Sequence, residues 1–447
     1  MAGAPARFRR LNGVWRAGAM LVLGAALIGC ATPLIRNSPS AHAGPKLHGT
    51  NRGSPEIFLA LAFSGGGARA SALAYGVLEE LAATEVHLAG EGRRLFDEID
   101  VVSSVSGGSF TAAYLGLHGD GILEGFRSDV LYRDMTQGLW RTLFNPANWR
   151  MERGDMAAGY YDEAIFHGAT FGNFRKDGPH IVINATDLVS GTHFLFLPEY
   201  FAALCSDIDD YPVAWAVTAS SAVPGAFNPI VLENHSAQCS RPAPAWIGRS
   251  LAENPADSLE GETARNLASY YAGAPRNYIH LVDGGIAGNL GVGVPLLREA
   301  EYGGRASMWR ALEIAKAREV LLVVVDAATS IPSERDQKAD PPSSLQLLSD
   351  TSTLMVNRTS RLSMALVRST LEQLERELPP SRRGRVHIAE LDFGDVQGSD
   401  ERAYFEAVPT SLAIEKEQVD RLVAVGRELL RGNAGYRDFI SRFGSSR

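Results

Sequence analysis

Three short stretches of the sequence carry residues whose types and spacing suit acyl transfer. In "IDVVSSVSGGSFTAAYLG" (residues 99–116) an apolar strand pattern runs into serines and glycines and restarts as a helix pattern, which would hold Ser106 up at the turn. The "SVSGG" within it differs from a G-x-S-x-G nucleophile elbow only at Ser104, a small residue in place of the first glycine, and Gly108 fills the last position. In "FSGGGARAS", Gly65, Gly66 and Gly67 lie between a strand and a helix pattern, where backbone N–H groups beside the positive helix end can hold an oxyanion. In "LVDGGIAGN" a strand ends at Asp283 and the chain turns on Gly284 and Gly285.

A serine hydroxyl is a weak nucleophile without a base beside it. His280 precedes Asp283 by three residues in one strand, an odd separation that sends the two side chains to opposite faces. A Ser-Asp-His order along the chain leaves only His387, which sits inside a predicted strand. Direct activation of Ser106 by Asp283 is therefore the favoured reading. The glycine loop also matches G-x-G-x-x-A, but Glu85, at the spacing of a ribose-binding acid, follows the helix pattern "LEELAAT". A phosphate loop fails because the Lys-Ser/Thr ending is absent. No His, Cys, Asp and Glu cluster has ligand spacing, so neither metal nor cofactor is expected.

These residues need a scaffold that brings strand ends together. From Ile57 onward the chain alternates short apolar runs ("IFLALAF", "IDVVSSV", "HIVINATDL", "YIHLVDGG", "EVLLVVVDA", "RVHIAEL") with helix patterns. That alternation predicts an α/β fold, a mostly parallel sheet with helices on both faces, whose loops at the strand ends carry the chemistry. Further helices are expected near Leu354 to Leu378 and Leu412 to Leu430, and nothing between Ile57 and the C-terminus demands a second domain.

Taken together, the three stretches resemble the patatin-like phospholipase family. The family's G-G-G-x-R oxyanion loop corresponds to Gly65 to Arg69, its elbow to Ser104 to Gly108, and its D-G-G motif to Asp283 to Gly285. "AVTASSAVPGAFNPI" (residues 216–230) is similar to the family's A-S-x-A-x-P segment. The resemblance spans residues 57–300 and, more loosely, 301–447. It implies a three-layer α/β/α fold, a Ser106-Asp283 dyad, an oxyanion held by Gly65, Gly66 and Gly67, and hydrolysis of lipid acyl esters through an acyl-enzyme. Arg69 would either anchor the loop or steer a phosphate head group. A small-ester esterase and a non-catalytic binding lipoprotein on the same fold are the alternatives. Cys205 and Cys239 flank the segment that the resemblance places beside the active site, and a disulfide between them would stabilise the fold by roughly 3–4 kcal/mol through loop closure.

The chain has 447 residues, 45% of them apolar and 21% charged, which fits a globular protein with a large core. Without the four arginines of residues 1–29, the net charge of −8 becomes −12, which argues against nucleic acid as a partner. Residues 1–29 read as an export signal whose apolar run, Ala17 to Ile28, is too short to span a bilayer. Its ending "LIGC" resembles a bacterial lipobox, which makes Cys30 a candidate for lipidation and the cell envelope the expected location. Ala31 after the cysteine points to the outer membrane, with the domain in the periplasm or at the surface. Residues 30–55 read as a flexible tether and 56–447 as the hydrolase domain. The aromatic stretch "QGLWRTLFNPANWRMERGDMAAGYY" is expected to be a helix on the core, with a lid or a membrane contact as the alternative.

Overall fold

The computed structural model describes residues 32–40, 53–239, 241–255, 258–271, 276–292, 317–330, 339, 341, 343–377 and 385–443. Cys30 and the expected signal segment lie outside these residues.

The apolar runs form the strands β1 (Ile57–Phe63), β4 (Ile99–Val105), β5 (His180–Asp187), β8 (Tyr278–Asp283), β9 (Glu319–Val325) and β10 (Val386–Leu391). Four more are short: the hairpin β2 (Glu85–Leu88) and β3 (Glu91–Arg94), then β6 (His193–Leu195) and β7 (Ile230–Glu233). Glu85 therefore opens a separate two-stranded hairpin and takes no place in the main sheet. That sheet has the order β10-β9-β1-β4-β5-β8-β7, with β6 also against β5. The pairs from β10 to β5 are parallel, whereas β8 runs antiparallel to both β5 and β7.

One face of the sheet is covered by α1 (Ala68–Ala83), α2 (Gly107–His118) and a late helix, α7 (Lys416–Gly432). The other is covered by α6 (Ser344–Glu377), whose Met364 and Val367 pack with Ala62 of β1 and Val324 of β9. Helices on both faces explain why β1 and β9 are apolar nearly throughout rather than alternating. The helices α1 and α7 approach at the level of their backbones: a Cβ on Gly76 would lie 2.2 Å from the Val423 carbonyl oxygen, and one on Gly426 2.5 Å from that of Leu73. The C-terminal part of the chain is thus built into the same core as the three motifs.

Register sets the height of the functional groups. Val105, the last residue of β4, pairs with Asn184 of β5, so the next residue, Ser106, stands level with Ala185. On that same edge of β5, just past the end of β4, Ala185 pairs with Asp283, the last residue of β8, while β6 holds the opposite edge. Because β8 runs the opposite way, its C-terminal end arrives at the level where β4 ends.

Residues 32–40 correct the reading of residues 30–55 as a free tether. Thr32 bridges to Met151, the Leu34 N–H donates to Asp155 Oδ2 at 2.8 Å, and the Arg36 guanidinium lies 4.2 Å from the Trp215 ring centroid. Asn37 is buried, donates to Ser206 Oγ and the Glu233 carbonyl at 2.8 Å each, and accepts from the Glu233 N–H at 3.0 Å. This part of the stretch is a strap laid across the domain. Its polar composition satisfies tertiary partners rather than water.

Candidate active site

The elbow is a strained turn. Ser106 sits between β4 and α2 at φ 48° and ψ −120°, a conformation that costs a non-glycine residue about 1–3 kcal/mol and needs surroundings that hold it. The holding group is Ser220 at the end of α5 (Val213–Ser220). Its Oγ accepts from the Ser106 N–H at 2.8 Å, donates to the Asn184 carbonyl at 2.6 Å and lies 3.0 Å from Ser109 Oγ. The glycines after Ser106 allow the close approach: a Cβ on Gly107 would lie 2.1 Å from the Gly67 carbonyl oxygen, and one on Gly108 2.7 Å from Ser64 O. Ser104 fits in place of the usual first glycine, fully buried, with its hydroxyl 3.3 Å from the Val182 carbonyl.

Asp283 is 8% exposed and Ser106 9%, and the Ser106 hydroxyl hydrogen-bonds the Asp283 carboxylate. Asp283 Oδ1 also accepts from the Gly285 N–H at 2.7 Å, which fixes the carboxylate against the D-G-G turn. Gly284 is required there because a Cβ would lie 2.3 Å from the Asn184 carbonyl oxygen. Burial raises the Asp283 pKa to about 6, and the bonds from Gly285 and Ser106 offset part of that rise. A carboxylate this close to neutrality is a stronger base than an exposed one and still ionised at pH 7.

The glycine loop supplies donors unequally. Its first amide is already used: the Gly65 N–H donates to the Asn289 carbonyl at 3.1 Å and to Asn289 Oδ1 at 3.2 Å. The expectation that Gly65 contributes to the oxyanion hole is corrected accordingly. The amides of Gly66 and Gly67 donate to no acceptor among the described residues, and both residues have positive φ, 142° and 63°. Two adjacent unpaired N–H groups beside a nucleophile are what a tetrahedral oxyanion needs.

Arg69 anchors this loop. Its Nε donates to the Ala327 carbonyl at 2.9 Å, Nη1 to the Val408 carbonyl and Nη2 to Thr410 Oγ1 at 3.0 Å. Burial lowers its pKa to about 10, against the pull of Asp326. With 2% exposure its guanidinium has no free face for a head group.

His387 lies on β10, three strands from β4, with Nε2 2.9 Å from Glu319 Oε2 and Nδ1 3.1 Å from Asp438 Oδ2. It has no route to Ser106. Among the described residues no group of His, Cys, Asp and Glu is arranged to hold a metal ion. Cys205 and Cys239 are joined as a disulfide, with Cα atoms 6.2 Å apart, and the loop it closes carries α5 and Ser220.

Sequence reasoning passed over Ser220 and Asn289, although both lie in quoted motifs. Asn289 Oδ1 sits between the glycine loop and the D-G-G turn: a Cβ on Gly65 would come within 2.4 Å of it and one on Gly285 within 3.0 Å. We expect Asn289→Ala to lower kcat about tenfold or more with little change in KM, because the loop amides lose their aim while substrate contacts stay. Steady-state kinetics on a soluble ester check this, and an unchanged kcat would remove Asn289 from the site.

The sequence profile of the patatin-like phospholipases matches residues 61–296, more than half of the chain and all three motifs. The chain belongs to the patatin-like phospholipase family. Among solved structures, human GIVD cytosolic phospholipase A2 is 13% identical, with 87% of this chain and 62% of that chain covered and a TM-score of 0.44. The same enzyme in complex with methyl gamma-linolenyl fluorophosphonate inhibitor and terbium chloride is 14% identical, covering 87% and 60%, with a TM-score of 0.40. VipD from Legionella pneumophila is 13% identical, covering 92% and 71%, with a TM-score of 0.35. The chain spans about 60% of the length of the human enzyme it matches. No curated protein sequence matches it.

Proposed function

We propose that this patatin-family protein hydrolyses the carboxylic ester bonds of membrane lipids or lipid-like esters through a Ser106-Asp283 dyad. The observation that carries the reading is the Ser106 hydroxyl bonded to Asp283 beside the two unpaired amides of Gly66 and Gly67. In the first step the Ser106 proton passes to the Asp283 carboxylate while Oγ bonds to the acyl carbonyl carbon, and the negative oxygen settles on the Gly66 and Gly67 N–H groups. Asp283 then gives the proton to the leaving alcohol oxygen as the ester C–O bond breaks, which leaves an acyl-enzyme. In the second half Asp283 takes a proton from water, hydroxide attacks the acyl carbon, and the fatty acid leaves as Ser106 is reprotonated.

The preference for lipid over small esters is supported by exposed apolar side chains at the site: Ile286, 43% exposed, follows the D-G-G turn, and Val223, 47% exposed, follows Ala222, whose carbonyl accepts the Asp283 N–H at 3.0 Å. The lipobox-like "LIGC" supports a lipid-anchored envelope protein, with Cys30 as the acylated residue and residues 1–29 removed. The purified protein should react covalently with a fluorophosphonate probe, and peptide mapping should find the adduct on Ser106. A folded protein that stays unlabelled at saturating probe would favour the binding-lipoprotein reading.

A further inference from the structure

The strap and the aromatic stretch meet at one place on the surface. Thr32 bridges to Met151, and the Thr32 N–H lies 3.4 Å from the Arg150 carbonyl. Just before this point stand Trp140, Phe144 and Trp149, exposed by 54%, 70% and 53%. Trp140 and Phe144 lie four residues apart on and beyond helix α3 (Met135–Leu143), their rings stacked at 5.4 Å, while Met135 and Leu139 face the core. Three large rings held out into water need an explanation.

The charge around them is locally positive. Residues 135–153 carry exposed Arg141, Arg150 and Arg153 and a single acid, the half-buried Glu152, in a chain of net charge −8. Exposed tryptophan and phenylalanine rimmed by arginine suit the interface of an anionic bilayer, where rings sit at head-group depth and guanidinium groups meet phosphate.

We propose that this face is the membrane-docking surface, and that the strap holds it there by giving the Cys30 anchor a leash of only two residues. The inference rests on the proposed acylation of Cys30. Two residues reach at most about 7 Å, so acyl chains on Cys30 enter the bilayer beside Met151 and within reach of Trp149. A 25-residue tether would let the domain roam and present any face. With Asn37 and Leu34 pinned to the domain, one face is presented, and the rings add apolar insertion to the acyl chains.

The test uses the full-length protein isolated from the envelope, with Phe144→Cys carrying an environment-sensitive nitrobenzoxadiazole dye. Asp400→Cys, exposed in the first turn of the helix Ser399–Ala407, carries the control dye. On vesicles of phosphatidylglycerol and phosphatidylethanolamine, iodide quenching of the dye at 144 should fall about fivefold with a blue-shifted emission, as expected for interfacial burial, while the dye at 400 is unchanged. Intact mass of the same sample reports on Cys30. Acylated protein that sediments with vesicles while the dye at 144 stays as accessible as at 400 overturns the docking face and leaves the anchor intact. An unmodified Cys30 overturns the leash and the acylation reading together. A dye at 144 already shielded before vesicles are added shows the face covered by protein, and also overturns the proposal. No readout depends on hydrolysis, so loss of the enzymatic reading would leave the result standing.

Discussion

Ser106→Ala and Asp283→Asn should each lower ester hydrolysis by at least about 10³-fold, and the double variant should be no slower than either single one, because nucleophile and base work as a unit. The expectation follows from the exclusiveness of the pair. Among the described residues Asp283 is the acceptor that the Ser106 hydroxyl meets, and His387 is tied to Glu319 and Asp438 across the sheet. Folding should survive, since the strain at Ser106 is held through its backbone N–H by Ser220 and not through its side chain. Rates on a chromogenic ester, with circular dichroism as the control for folding, decide it. A folded His387→Ala variant as slow as Ser106→Ala would show that a triad operates and the dyad is wrong. Our expectation for His387→Ala is near-normal kcat and reduced stability, as befits a buried imidazole between two carboxylates.

The second large effect is on the acid side of the pH profile. Asp283 must be a carboxylate to accept the Ser106 proton, and its pKa is raised by burial to about 6. The active form is therefore lost as pH falls through about 6, and kcat/KM should drop about tenfold per unit below it, reaching about 100-fold at pH 4. Above that pKa the profile should be level through neutrality. Stability carries the opposite sign: a carboxyl whose folded pKa is raised above its unfolded value favours folding most below the unfolded pKa, and this contribution fades as pH rises through about 6. Loss of rate at pH 5 should thus occur in a protein that this residue does not unfold. A profile flat to pH 4.5 would exclude Asp283 as the base.

The proposed pair of Ser106 and Asp283 was legible as a candidate because each stands at a strand end and is followed by glycines, a local pattern that survives in one dimension. The layered α/β/α architecture was legible for a related reason, since buried parallel strands read as unbroken apolar runs. What was hidden depends on partners distant in sequence. Ser220 supports an amide 114 residues away, and Asn289 a loop 224 residues away, and neither residue differs locally from an ordinary serine or asparagine. The direction of β8 was equally invisible, because "YIHLVD" has the same alternation read either way. Residues 32–40 misled for the converse reason. Polar composition marks a segment that makes few apolar contacts, but Asn37 buries itself by matching the backbone of Glu233, and composition carries no record of that.

The anchoring of the glycine loop has a bearing on when, during synthesis, the candidate site can form. Arg69 bonds Val408 and Thr410, the Ala68 N–H donates to the Ser411 carbonyl at 2.8 Å, and a Cβ on Gly67 would lie 2.3 Å from that same oxygen. The loop amides near the start of the domain are thus aimed by residues close to its end. A ribosome that has made Ser106, Asp283 and the loop has still not made the segment that fixes the loop. A chain that stops short of Val408 lacks every one of these partners, so the amides of Gly66 and Gly67 would stand beside Ser106 without the contacts that aim them.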